Sequence, residues 1–252
     1  MGYEKFNIFF SIILLILLKS CDTATGPNEI GGNTDLALTK VGNEFGVSVQ
    51  FANKYHPALS NIRDTIKIIK NQNGIVTFKG VLAIDELSLK QIDTLLGLQR
   101  LSENVKRAFA DNYKKIYNFS IDSSDKQNIK AEFEAKFKIT SEGIQDFIYS
   151  KGDESKPFTI VKYSANIGDK YEFTTAEGVK ITRVVTHIHT TEDWELGFLM
   201  VKTTRVVEET PNDPLLKQIT YIGNHKYGLV GLILETKDNK IFKITIMPWD
   251  VL

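Results

Sequence analysis

The sequence predicts an α+β protein that is mainly antiparallel β-sheet, with a few helices in the N-terminal half and a curved sheet or half-open barrel in the C-terminal half. Three observations carry that expectation. Ala131, Phe133, Ala135, Phe137 and Ile139 alternate with Glu132, Glu134, Lys136 and Lys138, the period of a strand with one face in the core and one in water. Asn71-Gln72-Asn73-Gly74 separates two apolar-rich runs and ends on the Asn-Gly pair that tight hairpin turns favour. Beyond residue 157 the chain reads as strand after strand, punctuated by Gly, Asn, Asp and Pro.

In chain order, Val47, Val49 and Phe51 alternate with Ser48 and Gln50, which predicts a first short strand. Residues 62–70 and 75–84 are the arms of the hairpin. Asp85 or Ser88 then caps a helix with Leu89, Ile92, Leu95 and Leu96 on its apolar stripe, and Gly97 ends it. Ser102, Val105, Phe109, Tyr113 and Ile116 fit a second amphipathic helix. After the alternating strand, a short helix is expected over 142–149.

The polar run Lys151-Gly152-Asp153-Glu154-Ser155-Lys156-Pro157 divides the globular part into an α+β domain, 36–152, and an antiparallel β domain, 157–252. In the second, strands are expected at 158–163, 170–174, 179–190, 196–208, 218–222, 229–236 and 240–247, with one turn of helix at 214–217.

Ahead of these lies a different kind of segment. Lys5 precedes an apolar run from Ile8 to Leu18, followed by Lys19, Ser20 and Cys21, the single cysteine of the chain. Eleven residues of helix reach about 16 Å, half of the roughly 30 Å hydrocarbon layer, which fits a secretory h-region and not a membrane span. With Leu18 three before the cysteine and Ser20 just before it, the stretch resembles the signal peptide of bacterial lipoproteins; Lys19 stands where that pattern has a small or apolar residue. The resemblance covers residues 1–21. It implies cleavage between Ser20 and Cys21, lipidation of Cys21, and a membrane-anchored protein of the bacterial cell envelope. Residues 22–35 hold one large apolar side chain, Ile30, and read with Cys21 as the lipidated start of a flexible tether, 21–35.

Composition narrows the function classes. Without residues 1–20, which contain Lys5, Lys19 and Glu4, the 31 basic and 31 acidic residues fall to 29 and 30, so no basic face invites nucleic acid. A lipid on Cys21 leaves no thiol for a disulfide, a thiolate metal site or a nucleophile. Gly-x-Ser-x-Gly, P-loop and His-Glu-x-x-His patterns do not occur, and no cofactor is implied.

One constellation bears on chemistry. His187 and His189 stand two apart on an expected strand and so share a face, where Asp193, Glu192 or His225 would complete a zinc-like shell. The plainer reading puts both on the solvated face of the strand, beside Arg183, Thr203 and Arg205. Asn224 and His225, between Gly223 and Gly228, read as a tight turn. Glu208 and Glu209 are adjacent, so on a strand they point apart. The expected function is binding or assembly, not catalysis, with an apolar ligand or an envelope protein segment held on the C-terminal sheet. Metal binding through His187 and His189 is the alternative.

Overall fold

The structure, a computed structural model, describes residues 30–105, 119–175, 178–211 and 213–251. The expected signal peptide, Cys21 and most of the expected helix from Ser102 to Ile116 lie outside them. Among the described residues no helix is long and apolar enough to cross a membrane.

The strands are β1 (Glu44–Phe51), β2 (Lys54–Tyr55), β3 (Arg63–Gln72), β4 (Ile75–Ile84), β5 (Ser120–Asp122), β6 (Ile129–Thr140), β7 (Gly143–Asp146) and β8 (Phe158–Lys162). They continue with β9 (Lys170–Thr174), β10 (Lys180–Ile188), β11 (Trp194–Leu196), β12 (Leu199–Val201), β13 (Thr204–Glu209), β14 (Leu216–Asn224), β15 (Gly228–Thr236) and β16 (Ile241–Pro248). Two α-helices lie wholly within the described residues, α1 (Pro57–Ser60) and α2 (Glu86–Leu96). All pairings are antiparallel. One 14-stranded sheet runs in the order β8-β7-β6-β4-β3-β1-β16-β15-β14-β13-β10-β9, with β2 added to β1 and β5 to β6, while β11 and β12 form a separate hairpin. Strands from 36–152 and from 157–252 meet in that sheet twice, through β1 and β16 and through β7 and β8.

Local chemistry explains several elements. Asn73 and Gly74 take φ of 52° and 84°, the left-handed pair that a two-residue hairpin turn between β3 and β4 requires. In β6 the apolar residues are buried and Lys130, Glu132 and Lys136 are exposed, as the alternation requires. Asp85 caps α2 by accepting from the Ser88 amide at 2.8 Å, and Gly97 closes the helix with φ 70°. Replacing Asp85 with Ala removes that acceptor and is expected to lower stability by about 1 kcal/mol. Chemical denaturation should show an earlier midpoint with an unchanged slope.

Three expectations need correction. Residues 143–146 form β7 and not the start of a helix, because β6 and β8 offer it hydrogen-bonding partners on both sides, Ile139↔Ile144 and Asp146↔Phe158 among them. The expected turn of helix at 214–217 is a tight turn instead: Asp213 Oδ1 accepts from the amides of Leu215 and Leu216 at 2.7 and 2.6 Å and launches β14. The single strand expected at 196–208 is three strands, since Gly197 turns the chain back on itself between β11 and β12.

The sheet bends until its two outer strands approach each other. β8 and β9 share no ladder, yet the Lys162 amide donates to the Tyr171 hydroxyl at 3.2 Å. Following the register from strand to strand defines an upper rim. It contains the β3–β4 turn, the Thr140–Gly143 corner, the last residues of β8, the Ile188–Thr204 end of the β10–β13 pair, the Asn224–Gly228 turn and Pro248 beside Phe45. The chain reaches the described region at this rim. Ser141 donates its amide to Asn33 O at 2.9 Å, the Asn33 amide donates to Ser141 Oγ at 2.9 Å, and Ile30 is buried. The last part of the expected tether, residues 30–35, is therefore docked on the β6–β7 corner.

Candidate functional site

Enclosing a sheet puts one face of every strand inside, and here the inside divides into two environments. On the side formed by β1, β3, β4, β6 and β16 the facing side chains do not fill the space, leaving an apolar cavity of about 90 Å³. Phe45, Val49, Phe78, Leu82, Phe133 and Ile244 are among its walls. Ala135 lines it with little more than a methyl group, while Phe78 sits edge-on between Phe45 and Phe137 at centroid distances of 5.2 and 5.7 Å. Most of the walls come from the N-terminal half, with Tyr227, Leu229, Ile244 and Ile246 as the C-terminal contribution.

On the other side β7 and β8 lie against β13 and β14, and the interior is charged. Arg183 on β10 is fully buried. Its Nε donates to Glu208 Oε2 at 2.8 Å, and one terminal nitrogen lies 2.8 Å from Asp146 Oδ2 and 3.1 Å from the Tyr221 hydroxyl. The other terminal nitrogen donates to Thr159 O at 3.1 Å. Tyr149 and Tyr221 both donate to Glu208. The guanidinium carbon stands 4.0 Å over the Phe158 ring, the geometry of a cation–π contact.

Burial pulls the Arg183 proton affinity down, but Asp146, Tyr221 and Glu208 outweigh it and hold the guanidinium charged. Burial pushes the Asp146 carboxyl up against the opposing pull of Arg183. It also pushes Tyr149 and Tyr221 well above the usual phenol range, so both stay protonated donors. Buried and paired with one another across several strands, these groups form a clamp. It joins β7 and β8 at one end of the sheet to β10, β13 and β14 near the other.

Sequence reasoning placed Arg183 on a solvated face and the structure corrects this. The reason is a bulge. The register of β10 against β13 shifts between Val185 and His187, so Arg183 and Val185 point inward while His187, of the same parity, is exposed. Glu208, directly opposite Arg183, shares the inward face with Val206, and Glu209 points out as two adjacent strand residues must.

The histidine pair is brought together, its rings stacked at 5.7 Å with 12° between planes. His189 Nε2 lies 3.3 Å from Asp193 Oδ2. That carboxylate also receives Arg205 at 2.8 Å, the Thr203 amide at 2.9 Å and the Thr203 hydroxyl. Its charge is thus already balanced by a guanidinium. Glu192 and His225 are exposed, and among the described residues no three His, Cys, Asp or Glu side chains are grouped to hold a metal ion. Asn224 is structural: it accepts from the amides of Lys226 and Tyr227 and donates to Lys202 O at 2.8 Å.

Sequence reasoning also missed the hairpin of β11 and β12. It lies on the outer face of β14–β16, where Trp194 donates from Nε1 to Val230 O at 3.2 Å. Gly231 makes room for the indole, since a Cβ there would stand 2.3 Å from the ring. Leu196, Val201, Ile222 and Val230 complete this small second core.

No protein-family model and no curated protein matches the chain. Among solved structures, a candidate lipoprotein of Parabacteroides distasonis is similar over 86% of this chain and 98% of its own, at 8% identity and a TM-score of 0.38. A likeness that slight carries no argument about function.

Proposed function

We propose that the protein is a lipid-anchored binding protein of the bacterial cell envelope, which holds an apolar ligand in the cavity between β1, β3, β4, β6 and β16. The observation that carries the reading is the cavity itself. Interiors are normally packed to the density of organic crystals, and unfilled apolar space lowers stability, so walls of this kind fit a ligand that completes them. The anchor rests on residues 1–21, where Cys21 would carry the lipid and Ser20 precede the cleaved bond. The partners are then the membrane, through the covalent lipid, and a small apolar molecule.

The test is titration of the purified full-length protein with a dye that fluoresces only in apolar surroundings, for the native chain and for Ala135→Leu. The larger side chain occupies the space beside Phe133 and Phe137. Saturable binding by the native chain, weakened about tenfold or more in the variant, is the expected result; tenfold corresponds to about 1.4 kcal/mol of lost contact. Equal binding by a variant with native circular dichroism, or no saturable binding by either chain, would overturn the assignment.

A further inference from the structure

We propose that the tip of the β11–β12 hairpin is a membrane-contact element whose partner is the surface of a lipid bilayer; the proposal rests on the reading of Cys21 as the lipid anchor. Phe198 at the turn is 105% exposed, and Leu199 and Met200 follow it at 40% and 48%. Soluble surfaces carry scattered apolar residues without consequence, but a wholly bare Phe198 followed by two half-exposed apolar residues at one turn is area that water does not favour.

The tip is held out by its base. Trp194, Leu196 and Val201 are buried on the outer face of β14–β16, and Lys243 lies 4.2 Å over the indole ring. The hairpin is therefore seated on the sheet with its turn left bare, and is not a loop that has yet to fold inward.

Its position points to lipid. The β10–β13 pair, which carries the hairpin, ends at the upper rim, and Ile30 and Asn33 dock at that same rim. About nine residues separate Cys21 from Ile30, a fully extended length of at most about 30 Å. That is close to the length of one strand of the sheet, so a lipid on Cys21 would lie within about one strand's length of the upper rim. Lys202 and Lys226 are exposed nearby, but Glu192 and Glu195 offset them, so the contact is apolar and insensitive to salt.

The experiment places an environment-sensitive dye at the tip. In the lipidated protein Cys21 is blocked, so Phe198→Cys supplies the single reactive thiol, and Gln127→Cys, on the exposed β5–β6 loop at the opposite rim, is the control. Both are reconstituted in phosphatidylethanolamine–phosphatidylglycerol vesicles after intact-mass analysis of acylation. The expected result is a blue shift at residue 198, quenched by lipids carrying bromine in the acyl chain, with no change at residue 127. Emission at 198 that stays that of water in acylated protein overturns the proposal, as does a shift that needs added envelope protein. A mass without acyl chains refutes the anchor separately. The label is then placed in a Cys21→Ser background, where a blue shift on added vesicles upholds the hairpin contact and its absence ends it.

Discussion

Arg183→Ala is expected to lower the stability of the folded protein by about 3–5 kcal/mol, the range for removing one partner of a buried ion pair. Two carboxylates, Asp146 and Glu208, would remain fully buried without their counter-charge, and the carbonyl oxygen of Thr159 would lose its donor. Tyr149 and Tyr221 still donate to Glu208, so the loss falls hardest on Asp146. Arg183→Lys should rescue little. An ammonium is a point donor and does not span Glu208, Asp146 and Thr159 as the planar fork does. If the harm comes from stranded charge, then Arg183→Met combined with Glu208→Leu and Asp146→Leu should recover most of the stability. Urea midpoints of the single and triple variants decide the matter, and a single variant as stable as the native chain would show that the clamp holds nothing.

The second large effect is alkaline. Tyr149 and Tyr221 are pushed well above the ordinary phenol value of 10.0 by burial, and each faces Glu208. A group with a raised folded pKa contributes stability that is complete below its unfolded pKa and is lost as pH rises toward the folded one. The window therefore opens near pH 10, where the unfolded chain begins to release protons that the folded protein keeps. Each such tyrosine steepens the loss by about 1.4 kcal/mol per pH unit, so the two together give about 3 kcal/mol per unit. Tyrosinate absorbance and far-ultraviolet dichroism should then change together in one cooperative step. Tyr149→Phe should reduce the slope of that step. Ionisation that runs ahead of unfolding would mean that these hydroxyls reach solvent in the native state.

What the sequence disclosed follows from periodicity and turn chemistry, both local. The Asn73-Gly74 turn, the Asp85 and Gly97 ends of α2, and the alternation of β6 need only neighbours a few residues away, and all are found as expected. The mainly antiparallel, curved sheet follows from the same signals. The misreadings are cases where a distant partner decides. Gly143–Asp146 is a strand because β6 and β8 flank it. Arg183 is interior because a single bulge reverses the faces of β10 between it and His187. The clamp unites residues from five stretches of chain, and the cavity unites seven strands, so neither leaves a spacing that can be read along the sequence. The hairpin tip was visible as Phe198-Leu199-Met200, but its exposure depends on where Trp194 finds a seat, over Gly231.

The pairing of β1 with β16 also governs how the molecule is made. Phe45 and Pro248 are register partners about two hundred residues apart, and their strands occupy the middle of the sheet, not its margin. At that junction the two halves of the sheet cannot pair until β16, the last of the described strands, has been made. Long-range pairing of this kind slows folding and leaves the growing chain open.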